Sequence, residues 1–346
     1  MTERSALYEL TMARLRMFIR EPGAVFWTFG FPLVLTVALG IAFRNRPPAP
    51  ARVDVVATAG SPGAATLSGA LSSPLVRAAF VDPDTAARDL RTARVVLVVL
   101  PGPPRTYRYD DTRPEGRAAR LLVDDLLQRA EGRVDATSAT DERVTTLGAR
   151  YIDFLIPGLV GLNLMSSSMW GIGYAIVDMR TKKLVKRMLA TPMKKSDFLL
   201  AFVAMRALFL LVEVPVLFGF GRLAFGVRVF GSPLLVMALS LLGAFSFAGL
   251  GLLVASRAQN TQTVGGLMNL VMMPMFIASG VFFSTANFPD AMQPYLRALP
   301  LTALNDALRV VANEGGTIVD VVRPVAILAA WGVISYAGAL KLFRWQ

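Results

Sequence analysis

The sequence predicts an α-helical integral membrane protein, with six transmembrane helices and a small α/β extracytoplasmic domain between spans one and two. Three observations predict it. Apolar residues make up 54% of the 346 residues, against about 45–50% in a soluble domain by a broader count that includes glycine. The excess gathers into long uncharged runs, the pattern of membrane helices rather than of a large core. One polar segment, 44–150, interrupts these runs and carries its own alternation of strand-like and helix-like stretches.

Residues 1–23 open the chain, and Glu3–Arg20 reads as an amphipathic helix: Tyr8, Met12, Leu15 and Ile19 share one face, Glu9, Arg16 and Arg20 the other. Such a helix ahead of a span is expected in the membrane interface. Residues 24–43 then run without a charge, long enough to cross the hydrocarbon core. No small-residue cleavage site follows, so this run reads as an uncleaved signal-anchor span. Further uncharged or nearly uncharged runs are Phe154–Val177, Phe198–Phe220, Leu234–Ala255, Thr263–Phe283 and Pro324–Leu340. All lie in the second part of the chain, 151–346.

Orientation follows from the lysines. With six spans and both termini cytoplasmic, Lys182, Lys183, Lys186, Lys194, Lys195 and Lys341 all fall on the cytoplasmic side, joined by Arg180, Arg187, Arg257 and Arg344. This is the positive-inside pattern. In a soluble protein a net charge of +12 would suggest nucleic acid; here it marks a membrane face, and nucleic acid is not an expected partner.

Within 44–150, Arg52–Ala57, Arg94–Leu100 and Arg105–Asp110 read as strands, while Ala64–Ser72, Asp84–Ala93 and Pro114–Ala130 read as helices. The alternation suggests a small α/β domain. Nothing in it looks catalytic, because its acids and arginines are interleaved as on a solvated surface.

The chain has no Cys and no His. That removes thiolate and imidazole chemistry, and with it Cys/His zinc sites; no metal site is expected. No Gly-rich run ending in Gly-Lys-Ser/Thr occurs, so the chain lacks the phosphate-binding loop of that ATPase class.

Three stretches resemble one family, the permeases of ATP-binding-cassette exporters of the ABC type-2 group, in the branch with a large outer domain after the first span. They are TMARLRMFIREPGAVFWTFGFPLVL, then YIDFLIPGLVGLNLMSSSMWGIGYAIVDMRTKKLVKRMLATPMKKSDFLLAF, then SGVFFSTANFPDAMQPYLRALPLTALNDALR. The second holds a Pro-Gly near the start of a span, a basic helix and the Thr191-Pro192 turn; the third holds paired prolines and an Asn-Asp-Ala-Leu-Arg helix. The ordered set covers most of the chain outside 44–150.

The resemblance implies a transport subunit that is not itself an enzyme, set in a bacterial plasma membrane. It implies a second permease chain, expected as a homodimer, and a separate cytoplasmic ABC-type ATPase that uses ATP and Mg. This chain is expected to bind no cofactor. The segment 180–195 is then a coupling helix, with Arg180, Thr181, Lys183, Leu184, Lys186, Arg187 and Met188 as its contact residues. Its basic face equally suits anionic membrane lipid. The segment 284–322 is too polar to span; with Phe282, Phe283, Pro289 and Pro300 it is expected to form an outer gate, its helices over Pro289–Leu299 and Leu304–Ala312.

Four polar side chains fall inside spans: Asn163, Arg206, Glu213 and Asn269. Ionisable groups at that depth are functional candidates by default. Arg206 and Glu213 are two helical turns apart, about 10 Å along the axis; that separation predicts that each meets another helix or a hydrated path. A polar clamp and a transport path both fit. A stripe of small residues, Ser240, Ala244, Ala248, Gly251 and Ala255, suits close helix packing within one chain.

The leading reading is an exporter permease moving a hydrophobic or amphipathic substrate. An ATP-independent secondary transporter or channel is the first alternative, though no internal repeat supports it. A membrane-anchored assembly or sensor protein is the second.

Overall fold

The computed structural model of the chain describes residues 12, 15–16, 18–42, 50–57, 64–102, 104–135, 137, 150–184 and 195–342. Most of the expected N-terminal amphipathic helix, the Thr191-Pro192 turn and the basic stretch 185–194 lie outside these residues. Contacts divide the chain into two units, one of Met1–Arg44 with Val144–Gln346 and one of Asn45–Arg143.

The first helix, α1, runs over 22–42. Pro22 sits at its first turn, where a missing N–H costs nothing. A π turn, Phe26–Gly30, interrupts it before Phe31–Ala42 resumes α geometry.

The second unit follows, as β1 (Ala51–Val56), α2 (Ala64–Ala70), β2 (Val76–Val81), α3 (Pro83–Arg91), β3 (Leu97–Leu100), β4 (Thr106–Arg108) and α4 (Pro114–Ala130). The sheet order is β2-β1-β3-β4. β1 pairs in parallel with β2 and β3, and β4 is antiparallel to β3. Alternation along the strands builds two cores. Val53, Val55, Leu97 and Val99 meet Ala119, Val123 and Leu127 of α4, while Val56, Val81 and Val98 meet Ala86 and Leu90 of α3. The sequence reading missed β2: its strand VRAAFV carries an arginine and two alanines, so little β-branched signal remains.

The membrane unit continues with α5 (Tyr151–Thr181), α6 (Lys195–Phe225), α7 (Pro233–Arg257) and α8 (Thr261–Ala278), then α9 (Gln293–Arg297), α10 (Pro300–Glu314) and α11 (Val322–Leu342). Among the described residues five helices are long and apolar enough to cross a membrane: α5, the Ala204–Phe225 part of α6, α7, α8 and α11. The apolar stretch Phe26–Ala42 of α1 is shorter.

Caps set several of these ends. Arg150 and Asp153 close a reciprocal box at the start of α5, with Arg150 Nη2 2.8 Å from Asp153 Oδ1. Asn260 Oδ1 accepts from Thr263 N at 2.7 Å at the start of α8. Gly315, at φ 74°, ends α10 in the left-handed conformation that favours glycine.

α5 and α7 are largely enclosed, whereas α8 and α11 are largely uncovered. The small-residue stripe of α7 packs inside the chain: Ser240, Ala244, Ala248 and Ala255 are buried. Gly251 lies so close to α5 that an added Cβ would stand 2.9 Å from the Met169 backbone, and one on Gly173 would stand 2.6 Å from the Gly251 carbonyl.

The segment after α8 departs from expectation. α8 ends at Ala278, short of Phe283. The stretch Pro289–Leu299 is not one helix but a 3₁₀ turn, Asp290–Met292, and the single turn α9. The expected short outer helix starts earlier and runs longer, as α10, and it is enclosed: Leu301, Leu304, Ala307, Leu308 and Val311 are fully buried. Its apolar face is stronger than the surrounding polar sequence suggests, and Asn305 and Arg309 are consumed by contacts rather than solvated.

Candidate functional site

Three helices of the membrane unit meet around a polar cluster. α6 contributes Arg206 and Glu213; α5 contributes Asn163, Ser167 and Ser168; α1 contributes the Thr28 carbonyl. Arg206 Nη1 donates to Glu213 Oε2 at 2.7 Å, a direct ion pair with both side chains buried. This corrects the expectation from helix spacing. A guanidinium on its four-atom stem spans two turns when extended along the helix, and the Glu213 side chain leans back toward the N-terminus to meet it. The pair also engages α5: Arg206 Nε donates to Ser168 Oγ at 2.9 Å, and Asn163 Nδ2 donates to Glu213 Oε1.

The other Asn163 bond has a cause in the sequence. The Thr28 carbonyl would ordinarily accept from the N–H four residues on, but that residue is Pro32, which has none. Asn163 Nδ2 supplies the donor at 3.1 Å. The same repair recurs on α5. Pro157 leaves the Asp153 carbonyl without its helical donor, and Asn313 Nδ2 fills the place at 2.9 Å.

Beside the cluster, a cavity of about 920 Å³ opens between α1, α5, α6 and Phe276 of α8. Two π turns, Phe26–Gly30 and Trp170–Tyr174, form part of its wall, through Trp27 and Thr28 in the first and Trp170 and Tyr174 in the second. π turns widen a helix locally and recur at functional sites. Asn163 and Arg206 also line the cavity, so the ion pair borders an apolar space.

Asn269 does not join this cluster. It is exposed on α8, with Gln262 and Gly266 exposed at helical spacing before it. Leu267, Leu270, Met273 and Ile277 are exposed on the same helix, so Gln262 and Asn269 are polar points on a largely apolar surface.

The residues expected to form the gate lie around the break after α8. The Phe282 ring meets Phe276 edge-on at 5.3 Å, and Tyr151 donates to the Phe282 carbonyl at 2.9 Å. Phe283 is exposed beside Phe288. Pro289 precedes the 3₁₀ turn and Pro300 starts α10. Side chains hold the irregular backbone: Asn305 donates to the Ser279 carbonyl at 3.0 Å, Arg309 to Gly280, and Trp331 to Ala298 at 2.8 Å. Arg309 also lies over the Phe154 ring, 3.5 Å from its centre.

At the far end of α5, Arg180 Nη1 donates to the Ala258 carbonyl at 3.2 Å and Thr181 Oγ1 to the Asp178 carbonyl at 2.8 Å. Lys183 takes a left-handed φ of 56°, ending the helix, and Leu184 is exposed. Lys186, Arg187 and Met188 lie outside the described residues. Sequence reasoning missed Trp27, Thr28, Trp170 and Ser168. The one available signal was Pro32, whose missing N–H marks the Thr28 carbonyl for an outside donor.

A bundle of long apolar helices holding a buried ion pair beside an apolar cavity defines a multi-pass membrane protein with an intramembrane polar site. Residues 120–341, more than half of the chain, match the profile of the ABC-2 family transporter protein. The chain belongs to that family and is a membrane-spanning component of its transporters. It is 27% identical over 200 residues to Nodulation protein J of Rhizobium meliloti (strain 1021), covering 57% of this chain and 75% of that one. It is 27% identical over 201 residues to Nodulation protein J of Rhizobium leguminosarum bv. trifolii, with the same coverage. A third relative, Linearmycin resistance permease protein LnrN of Bacillus subtilis (strain 168), is 23% identical over 178 residues, 51% of this chain and 46% of that one.

Proposed function

We propose that the chain is the permease subunit of an ATP-driven exporter of a bacterial inner membrane, and that its substrate is hydrophobic or amphipathic. The observation that carries this is the cavity of about 920 Å³, apolar in most of its lining yet bordered by Arg206 and Asn163, with the α5, α6 and α8 parts of its wall inside the family match. A volume of this size suits a drug- or lipid-sized molecule. One relative is named as a linearmycin resistance permease, a name that agrees with an export role.

In this reading α1 is the sixth span, the termini are cytoplasmic and the Asn45–Arg143 unit lies outside. The segment 180–195 receives the ATPase. A second copy of the chain covers the part of α8 that exposes Gln262 and Asn269, whose amides are poorly matched to acyl chains. The Phe282–Pro300 segment gates the outer end.

The test is ATPase turnover in lipid nanodiscs, with the neighbouring ATPase alone, this chain alone and the two together. Vanadate-sensitive turnover confined to the complex is expected. If several plausible ATPases neither bind nor respond, ATP coupling is wrong.

A further inference from the structure

The Asn45–Arg143 unit has nearly equal numbers of arginines and acids, yet they are not evenly paired. On the α4 side of the sheet, Arg113, Arg117, Arg120, Arg129 and Arg133 each reach an aspartate within 4.0 Å. On the α3 side, Arg52, Arg77, Arg88, Arg91 and Arg108 are exposed and reach no acid among the described residues. Asp89 is already engaged there by Arg94 at 3.5 Å.

Topology gathers four of these arginines at one end. Arg52 of β1 and Arg77 of β2 are register partners near the starts of two parallel strands, their backbones about 4.8 Å apart. Like charges placed opposite each other destabilise a sheet. α3 leaves β2 at its far end and finishes ahead of β3, so its last turns, with Arg88 and Arg91, lie at this same end. Asp110 and Asp111 lie beyond the other edge strand, β4, and are held by Arg113 and Arg117, with Glu115 in the first turn of α4.

Two further observations say what covers the patch. The turn into β2 exposes Pro74 and Leu75, the latter by 48%, two residues before Arg77. An anionic bilayer surface takes both features, guanidinium groups on phosphates and an apolar side chain among acyl chains; an acidic polymer offers the leucine nothing. The patch also lies where β1 begins, and residues 43–50 join that point to α1. However the two units are arranged, the chain between Ala42 and Ala51 reaches at most about 30 Å.

We propose that this end of the α/β unit, with Arg52, Arg77 and Leu75, docks on the headgroups of anionic membrane lipid. The proposal goes beyond the exporter reading and takes from it only that α1 spans the membrane.

The test uses the full chain in nanodiscs, which present lipid on both faces. The chain has no cysteine, so a fluorophore on Ser72→Cys, exposed just before the turn, reports on this end alone. A nitroxide carried on lipid headgroups is the quencher. Quenching is expected to be strong in discs containing phosphatidylglycerol, weak in phosphatidylcholine alone, and reduced by salt. A label on Leu121→Cys, exposed on α4 across the sheet, should not respond to lipid charge. R52Q/R77Q relieves a repulsion and so should fold; it is expected to lower the docked-to-undocked ratio about thirtyfold, as two arginines near an anionic surface allow. Equal quenching at Ser72 in both lipids, equal lipid dependence at Ser72 and Leu121, or a response that survives R52Q/R77Q overturns the proposal. Self-quenching of Ser72 labels between two chains in one disc, whatever the lipid charge, would assign the patch to a second copy and overturn it too. A label on Val34→Cys, exposed on α1, and an acyl-chain nitroxide test the span separately, so a failed span and a failed docking surface are told apart.

Discussion

At the scale of single residues, the ion pair Arg206–Glu213 is best understood through what its loss would leave behind. Glu213→Gln strands a buried guanidinium, and breaking a buried pair on one side costs about 3–5 kcal/mol. The variant should melt well below the parent in nanodiscs, and R206M/E213Q should recover part of that loss; a single variant as stable as the parent would show the pair to be hydrated. In the second unit, Asp54 sits on β1 with Oδ2 buried and unpartnered. Burial pushes its carboxyl above the ordinary carboxylate range, and Asp89 nearby adds to the effect. The fold therefore favours the protonated form. The stability this group contributes is present below the ordinary carboxylate pKa and is lost as pH rises through the raised one. Asp54→Asn should make hydrogen exchange of β1 and β3 slower at neutral pH, with the gap closing in acid.

At the scale of elements, left-handed positions and proline repairs are the points of leverage. Ala93 follows the end of α3 at φ 56°, where glycine is preferred, so Ala93→Gly should stabilise that unit by about 1 kcal/mol, read as slower hydrogen exchange across α3. Asn313 and Pro157 form a testable couple. Asn313→Ala removes the amide donor from the Asp153 carbonyl, whereas Pro157→Ala returns a helical N–H to it. The double variant should therefore be less destabilised than the two singles summed, by about 1 kcal/mol in thermal melts; strict additivity would deny the repair. The elements themselves were legible where one signal dominated. Long uncharged runs gave five of the membrane helices within a few residues, and the Ala119–Leu127 face gave α4. β2 was not legible, because an arginine and two alanines in six residues carry no strand period. Nor was the Arg206–Glu213 contact, since axial spacing ignores how far two extended side chains reach. The enclosure of α10 was hidden too, because burial of Asn305 and Arg309 depends on carbonyls supplied by a distant break in the chain.

At the scale of the whole molecule, α8 is the place to test pairing, because Gln262 and Asn269 are exposed there among Leu267, Leu270, Met273 and Ile277. The chain contains no cysteine, so a single replacement at Asn269 reports on one position only. Asn269→Cys is expected to cross-link two copies in native membranes under mild oxidation, while a cysteine at Val333, exposed on α11, should not. Equal cross-linking at both sites would remove the argument for pairing through α8.

The bond from Asn163 to the Thr28 carbonyl joins residues 135 apart in sequence. In the proposed topology α1 enters the bilayer first, and a ribosome adding about 5–20 residues per second delivers its missing donor many seconds later. Until then the first helix waits in lipid with a bare carbonyl. Biogenesis of this chain therefore has a built-in order: α1 is provisional on its own and becomes committed only when α5 arrives, so truncated nascent chains ending before Asn163 should be the ones a membrane quality-control protease removes.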